Sequence, residues 1–242
     1  MTLHQENTFI TLTYRDEDLP PFESIGRYAW QTFMKRLRKQ IHPKKIRYFM
    51  CGEYGEKTGR PHYHAIIFGH EFPDKEPTGK NQRGDIYYTS ESLLKAWPHG
   101  HVTIGEANFD TAAYVARYIM KKQNGPEAAT HYEQESRYTC VGIQDITAEF
   151  TNSSRNPGIA HDWVKKYQSD LLKGYITSNG KKTGIPKYYT DIIENMEKGE
   201  QYAEKKRINE DHSYKPDRHD LNKARTRENI QSRKQKNITR SI

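Results

Sequence analysis

Two runs with strand-like alternation, Ile46 to Tyr54 (IRYFMCGEY) and His62 to Gly69 (HYHAIIFG), stand seven residues apart, and this pairing constrains the fold more than any other feature. The link between them, GEKTGRP, is polar and carries two glycines, so the runs read as an antiparallel hairpin. Closed through Glu56-Lys57-Thr58-Gly59, the hairpin places Tyr54 opposite Pro61 and Glu53 opposite His62. Side chains alternate along a strand, so His62 and His64 share one face and Tyr63 takes the other. A carboxylate and two imidazoles thereby converge.

Such a mixed oxygen and nitrogen set suits Mn²⁺ or Mg²⁺, with water and phosphate oxygens completing the shell. Glu56, in the turn, is a weaker third donor than Glu53. Two histidines on a strand surface also have a purely structural explanation. A second pair, His99-Gly100-His101, follows Pro98 at a loop-to-strand junction, where side-chain directions are not set by the pleat, and is not expected to bind metal.

Around the hairpin the chain supplies further elements. TFITLTY (8–14) alternates as a strand. From Ser24, a plausible N-cap, Ile25, Tyr28, Ala29, Thr32, Phe33, Leu37 and Ile41 recur at helical spacing. Lys35, Arg36, Arg38 and Lys39 occupy the opposite face, most simply a solvated one. Residues 70–85 are polar and rich in Pro and Gly, hence a loop. SESLLKAW predicts a short helix capped by Ser90 or Ser92, GHVTIGEA a strand, and TAAYVARYIMKKQ a helix with a basic last turn. Further on, RNPGIAHDWVKKYQSDLL predicts a turn and a helix, and YITSNGKKTGIPKYY a hairpin at Asn179-Gly180. This order predicts an α+β fold, an antiparallel ferredoxin- or RRM-like sheet with helices packed on one face. One domain is expected over 1–195, followed by a charged, frayed-helical or disordered tail over 196–242 with few large aliphatics.

Composition narrows the partners. The chain has 39 Lys+Arg against 31 Asp+Glu, a formal charge of +8, which favours a polyanion, and its 17 tyrosines offer faces for stacking on unpaired bases. Two cysteines without a CxxC spacing fit a reducing compartment, and no apolar run or leader pattern predicts a membrane span or export. The chain is therefore expected in the cytoplasm. Within TAAYVARYIMKKQ, Tyr114 and Tyr118 lie one helical turn apart on one face, with Lys121 and Lys122 just beyond. Both tyrosines also fit an amphipathic core face.

Taken together, FITLTYRDEDLP, GEYGEKTGRPHYHAIIFG and YVARYIMKK resemble, in order, the three motifs of HUH-superfamily rolling-circle replication initiators, in the paired-tyrosine form of microviruses, small single-stranded DNA bacteriophages of gokushovirus type. RNPGIAHDW extends the likeness to about residue 195. The resemblance implies His62, His64 and Glu53 as ligands of Mg or Mn, Tyr114 and Tyr118 as nucleophiles, and Lys121 or Lys122 as the motif lysine. It further implies nicking of single-stranded origin DNA, a 5′-phosphotyrosine adduct and strand rejoining in a bacterial host. Arg117, Lys35, Arg36 and Arg60 are the expected DNA contacts. Arg117 departs from the lysine common at its position, which keeps the charge but alters the geometry. Lacking a GxxxxGK[ST] loop, the chain would depend on a host helicase and polymerase. Two other classes remain open: a non-catalytic single-strand DNA- or RNA-binding module, and a transposase or relaxase of the same superfamily.

Overall fold

The computed structural model describes residues 3–55, 58–81, 84–121, 133–135, 143–178 and 180–196, with isolated positions at 200, 204 and 229–230. Side chains at 118–121, 133–135, 143–145, 178 and 181 lie outside the description. Two compact units result, Met1–Ile159 and Ala160–Ile242. The tail expected from 196 onward lies almost wholly outside the described residues.

In the first unit β1 (Asn7–Tyr14), β2 (Arg47–Tyr54), β3 (Pro61–Phe68), β4 (Lys75–Lys80), β5 (Ile86–Ser90), β6 (Gly100–Glu106) and β9 (Phe150–Ser153) form one antiparallel sheet, ordered β4-β5-β6-β1-β3-β2-β9. The short strands β7 (Glu133–Glu135) and β8 (Ile143–Asp145) pair separately. Three helices accompany them: α1 (Arg27–Gln40), α2 (Glu91–Ala96) and α3 (Phe109–Lys121). The α+β class and antiparallel sheet are those the element order predicts.

The hairpin closes in the anticipated register, Tyr54 against Pro61 and Glu53 against His62. Its alternation decides which face is the core. Ile10 and Leu12 of β1, Met50 of β2, Tyr63, Ala65 and Ile67 of β3, and Val102 and Ile104 of β6 are buried together, under Trp30, Phe33, Met34 and Leu37 of α1 and Leu93 and Ala96 of α2. Those α1 residues recur every three or four positions, so one stripe of the helix meets the sheet. α3 crosses the opposite face instead, where Val115 and Cys51 are buried together and Phe9, Phe49 and Tyr114 close the seam.

Tyr63, fully buried, fixes the start of α1. Its hydroxyl donates to Gly26 O at 2.8 Å and accepts from Gly26 N at 3.0 Å. With that proton committed, the Tyr14 hydroxyl 3.2 Å away must donate to Tyr63. Tyr54 works beside it, accepting from Ile25 N at 3.0 Å and donating to Thr147 O at 2.8 Å. The N-cap is consequently Gly26, not Ser24, whose hydroxyl accepts from Thr147 N. Side chains of the sheet supply what a capping hydroxyl would have supplied locally.

Two strands depart from expectation. The polar stretch expected as a loop contains β4, an edge strand exposed at every position whose pairing with β5 shifts between Pro77 and Gly79. A strand wetted on both faces carries no apolar alternation. β9 was not anticipated either; only Phe150 is buried in its four residues. The short helix after β5 is capped by Ser90, whose hydroxyl accepts from Leu93 N at 3.1 Å.

In the second unit α4 (His161–Lys166), α5 (Gln168–Leu171), α6 (Lys187–Glu194) and the hairpin of β10 (Tyr175–Ser178) and β11 (Lys181–Gly184) contribute to a small core of Val164, Leu171, Leu172 and Ile193. This hairpin turns at the expected place, with Gly180 at φ 73°. Among the described residues no helix is long and apolar enough to cross a membrane.

Tyr63→Phe should cost about 2 kcal/mol or more in stability, because it leaves both Gly26 backbone groups and the Tyr14 hydroxyl without their partner. Urea unfolding of the two proteins measures it. A change below about 0.5 kcal/mol would mean that the helix start is held elsewhere.

Candidate functional site

Strand registers arrange the face under α3 in rows. Thr13, His62 and Glu53 stand abreast on β1, β3 and β2, and Thr11, His64 and Cys51 form the next row. His64 and Glu53 are both buried, and His64 Nε2 lies 2.7 Å from Glu53 Oε1. His64 Nδ1 lies 2.9 Å from the Thr11 hydroxyl. An ionised Glu53 can only accept, so Nε2 carries a proton and, in the neutral ring, Thr11 donates to Nδ1. Because a hydroxyl both donates and accepts, Thr11 can serve either tautomer.

His62 stands beside it with its ring parallel to His64, 4° between planes and 6.2 Å between centroids. Its Nδ1 donates to Arg60 O at 2.6 Å, which leaves the Nε2 lone pair available. Burial lowers the His62 pKa below the usual 6.5, with the charge of His64 acting the same way, while the Arg60 carbonyl and Glu53 oppose the shift. A neutral imidazole is the form that binds a cation.

The donors fit a divalent cation in kind and in support. Each Nδ1 is held by a backbone carbonyl or a hydroxyl, as metal-ligating histidines usually are. An ion about 2.1 Å from both Nε2 and Oε1 at a right angle would hold them about 3.0 Å apart, a few tenths of an ångström beyond their present contact. Among the described residues, however, no three His, Cys, Asp or Glu groups already surround a common point. Glu56 lies outside the described residues.

Tyr114 comes to this place from α3. Its ring stands edge-on to His64, 90° between planes and 5.1 Å between centroids, and edge-on to Phe9 at 6.2 Å. The start of α3 is fixed by a reciprocal cap: Asn108 N donates to Thr111 Oγ1 at 2.9 Å and Thr111 N to Asn108 Oδ1 at 3.0 Å. The structure thus brings His62, His64, Glu53 and Tyr114 together. The side chains of Tyr118 and Lys121, and all of Lys122, lie outside the described residues.

The cationic candidates are dispersed. Arg117 donates through Nε to Ala113 O at 3.2 Å, with both terminal nitrogens buried and unpartnered. Arg60 ties the hairpin turn to the end of β1, through Tyr14 O at 3.1 Å and Asp16 at 2.5 Å. Lys35 and Arg36 sit on α1, across the sheet from the histidines, and the structure does not bring them to this site. The second histidine pair is divided. His101 stands exposed in the row of Thr13 and His62 but two strands from His62, whereas the His99 ring lies 5.1 Å from Trp97 and 3.9 Å from Asp18.

Sequence reasoning missed Thr11 and Phe9, which hold and stack on His64; Phe9 lies parallel to it at 6.0 Å. A signal existed. In β1 the positions 9, 11 and 13 alternate with Ile10 and Leu12, and pairing β1 with β3 would have set Thr11 opposite His64.

Comparisons with known proteins agree on one group. Residues 7–123 match a family model described as replication-associated protein of the ORF2 type. The chain is 33% identical over 198 residues to replication-associated protein VP4 of Bdellovibrio phage phiMH2K, covering 77% of this chain and 57% of that protein. Against replication-associated protein ORF4 of Chlamydia phage 1 the identity is 29% over 208 residues, covering 80% and 47%. Against replication-associated protein ORF2 of Spiroplasma virus 4 it is 30% over 216 residues, covering 83% and 62%. The chain therefore spans about half to three fifths of the length of these relatives. No solved structure matches it.

The His62 ring should titrate below pH 6.5, as followed by its ring-proton NMR shifts. Since the folded value is depressed, the neutral ring contributes stability above about pH 6.5 that is lost as the pH falls through the folded value. Titration at or above 6.5 would show that the ring is solvated.

Proposed function

The chain belongs, through residues 7–123, to this family of ORF2-type replication-associated proteins, and we propose from that premise that it initiates replication of a single-stranded phage DNA by nicking and rejoining the origin strand. The observation that carries the proposal is Tyr114 standing edge-on to His64, itself bonded to Glu53, on the sheet face that also bears His62.

In this reading the Tyr114 oxygen attacks the scissile phosphorus, the phenol proton is released, and the bond to the 3′ oxygen breaks. The products are a 5′-phosphotyrosine and a free 3′-OH. Attack by that hydroxyl on the phosphotyrosine reverses the step, with the phenol, ordinarily near pKa 10, as the leaving group. A bound Mg²⁺ or Mn²⁺ supplies neutralisation of charge developing on the phosphate oxygens. His62, His64 and Glu53 would hold that ion; Thr11 and the Arg60 carbonyl orient the two rings. Tyr118 is proposed as the second nucleophile, acting while the first remains attached, and Lys121, Lys122 and Arg117 as phosphate contacts. Unwinding and synthesis fall to a host helicase and polymerase.

Labelled circular single-stranded phage DNA with Mn²⁺, run on a denaturing gel, reads the covalent adduct. Tyr114→Phe and Tyr118→Phe should each retain one adduct and fail to rejoin a full circle, and the double variant should form none. An adduct in the double variant would place the nucleophile elsewhere. His62→Ala or His64→Ala should abolish nicking with the fold intact.

Thr11→Val keeps the shape of the side chain and removes the hydroxyl that holds His64 Nδ1. It should weaken Mn²⁺ binding about tenfold, read by calorimetry. Unchanged affinity would mean that His64 is not a ligand.

A further inference from the structure

The charge of the first unit is sharply divided along the chain. Between Glu23 and Glu53 lie eight Lys and Arg residues and no Asp or Glu, whereas the rest of residues 1–159 carries twelve cations against nineteen acids. Outside this one segment the unit is thus net acidic by seven. Whatever attraction the first unit has for a polyanion must be concentrated on α1 and the turn that follows it.

Part of that charge is engaged. Arg27 stacks on the Phe150 ring at 4.1 Å, Lys44 pairs with Glu6, and Arg47 donates to Pro157 O. Lys35, Arg38, Lys39 and Lys45 are exposed and have no carboxylate partner among the described residues. On the helical wheel Trp30, Phe33, Met34 and Leu37 face the core, so Tyr28, Lys35 and Lys39 form the outward crest. Tyr28 is 76% exposed. Lys35 and Lys39 stand about 6 Å apart along the axis, close enough to meet neighbouring phosphates.

We propose that the outer face of α1, with Lys45 beyond it, is a second nucleic-acid docking surface, for duplex DNA, on the side of the sheet opposite His62, His64 and Tyr114. Charge complementarity names the occupant. A duplex carries about one phosphate per 1.7 Å of axis, the densest linear array of negative charge a convex helix can meet without a cleft. A single strand would need a groove and a row of stacking rings, and this crest offers only Tyr28. The inference extends the proposed nicking function without depending on it: the opposite face works on one strand while this one holds paired DNA alongside.

The experiment uses the full chain with a fluorescent 30-base-pair duplex and a single strand of the same length, across a salt series, comparing the parent with the triple variant Arg38→Gln, Lys39→Gln, Lys45→Gln. Duplex affinity should fall at least tenfold near 0.1 M salt and the log–log salt slope should flatten by about three, roughly 0.9 per lost phosphate contact. Adduct formation on circular single-stranded DNA should not change. The charge-preserving Arg38→Lys, Lys39→Arg, Lys45→Arg variant should bind duplex like the parent, which separates charge from folding. Duplex affinity within twofold of the parent overturns the proposal. So does an equal loss of single-strand affinity, or a loss confined to anionic phospholipid vesicles. If the parent forms no adduct yet the duplex effect persists, the nicking function fails and this surface stands.

Discussion

The bond between the Tyr63 hydroxyl and both backbone groups of Gly26 orders the rest of the first unit. It fixes three things at once: which face of β3 is inside, where α1 begins, and how β1 meets the hairpin through Tyr14. Because the pleat has a period of two, committing Tyr63 to the core commits His62 and His64 to the other side. A slip of one residue would bury both imidazoles under α1 and expose the ring that anchors the helix. The burial that raises the pKa of Tyr63 also keeps its hydroxyl protonated, hence able to donate and accept at Gly26.

The fold was legible wherever one side of an element is dry and the other wet. The register of β2 and β3 followed from residues 53–62 alone, and the core stripe of α1 from its spacing. Elements without that contrast were not legible. β4 is wet throughout, and β9 buries only Phe150 among four residues. Ser24 has the chemistry of a cap and so sets the start of α1 too early, while the groups that cap the helix come from Tyr54 and Tyr63, far along the chain.

The candidate site was half legible. Glu53, His62 and His64 converge through a local hairpin, so adjacent sequence encodes them. Tyr114 reaches His64 only because α3 crosses the face opposite α1, a tertiary fact that helical spacing does not contain. Thr11 belongs to the same class; its role depends on β1 pairing with β3 across more than fifty residues. Lys35 and Arg36 show the converse error. Their charge is evident in the sequence, but which side of the sheet they occupy is not.

The seam beneath α3 is thin: among its described side chains only Val115 is fully buried, against Cys51. α1, by contrast, sinks Trp30, Phe33, Met34 and Leu37 into the main core. Each buried apolar side chain contributes on the order of 2 kcal/mol, so lifting α3 from the sheet costs far less than unfolding the sheet beneath it. Its backbone amides should exchange with solvent deuterium through local openings, well ahead of those in β1 and β3. The element that carries Tyr114 can thus part from the strands that carry the histidines while both keep their own structure.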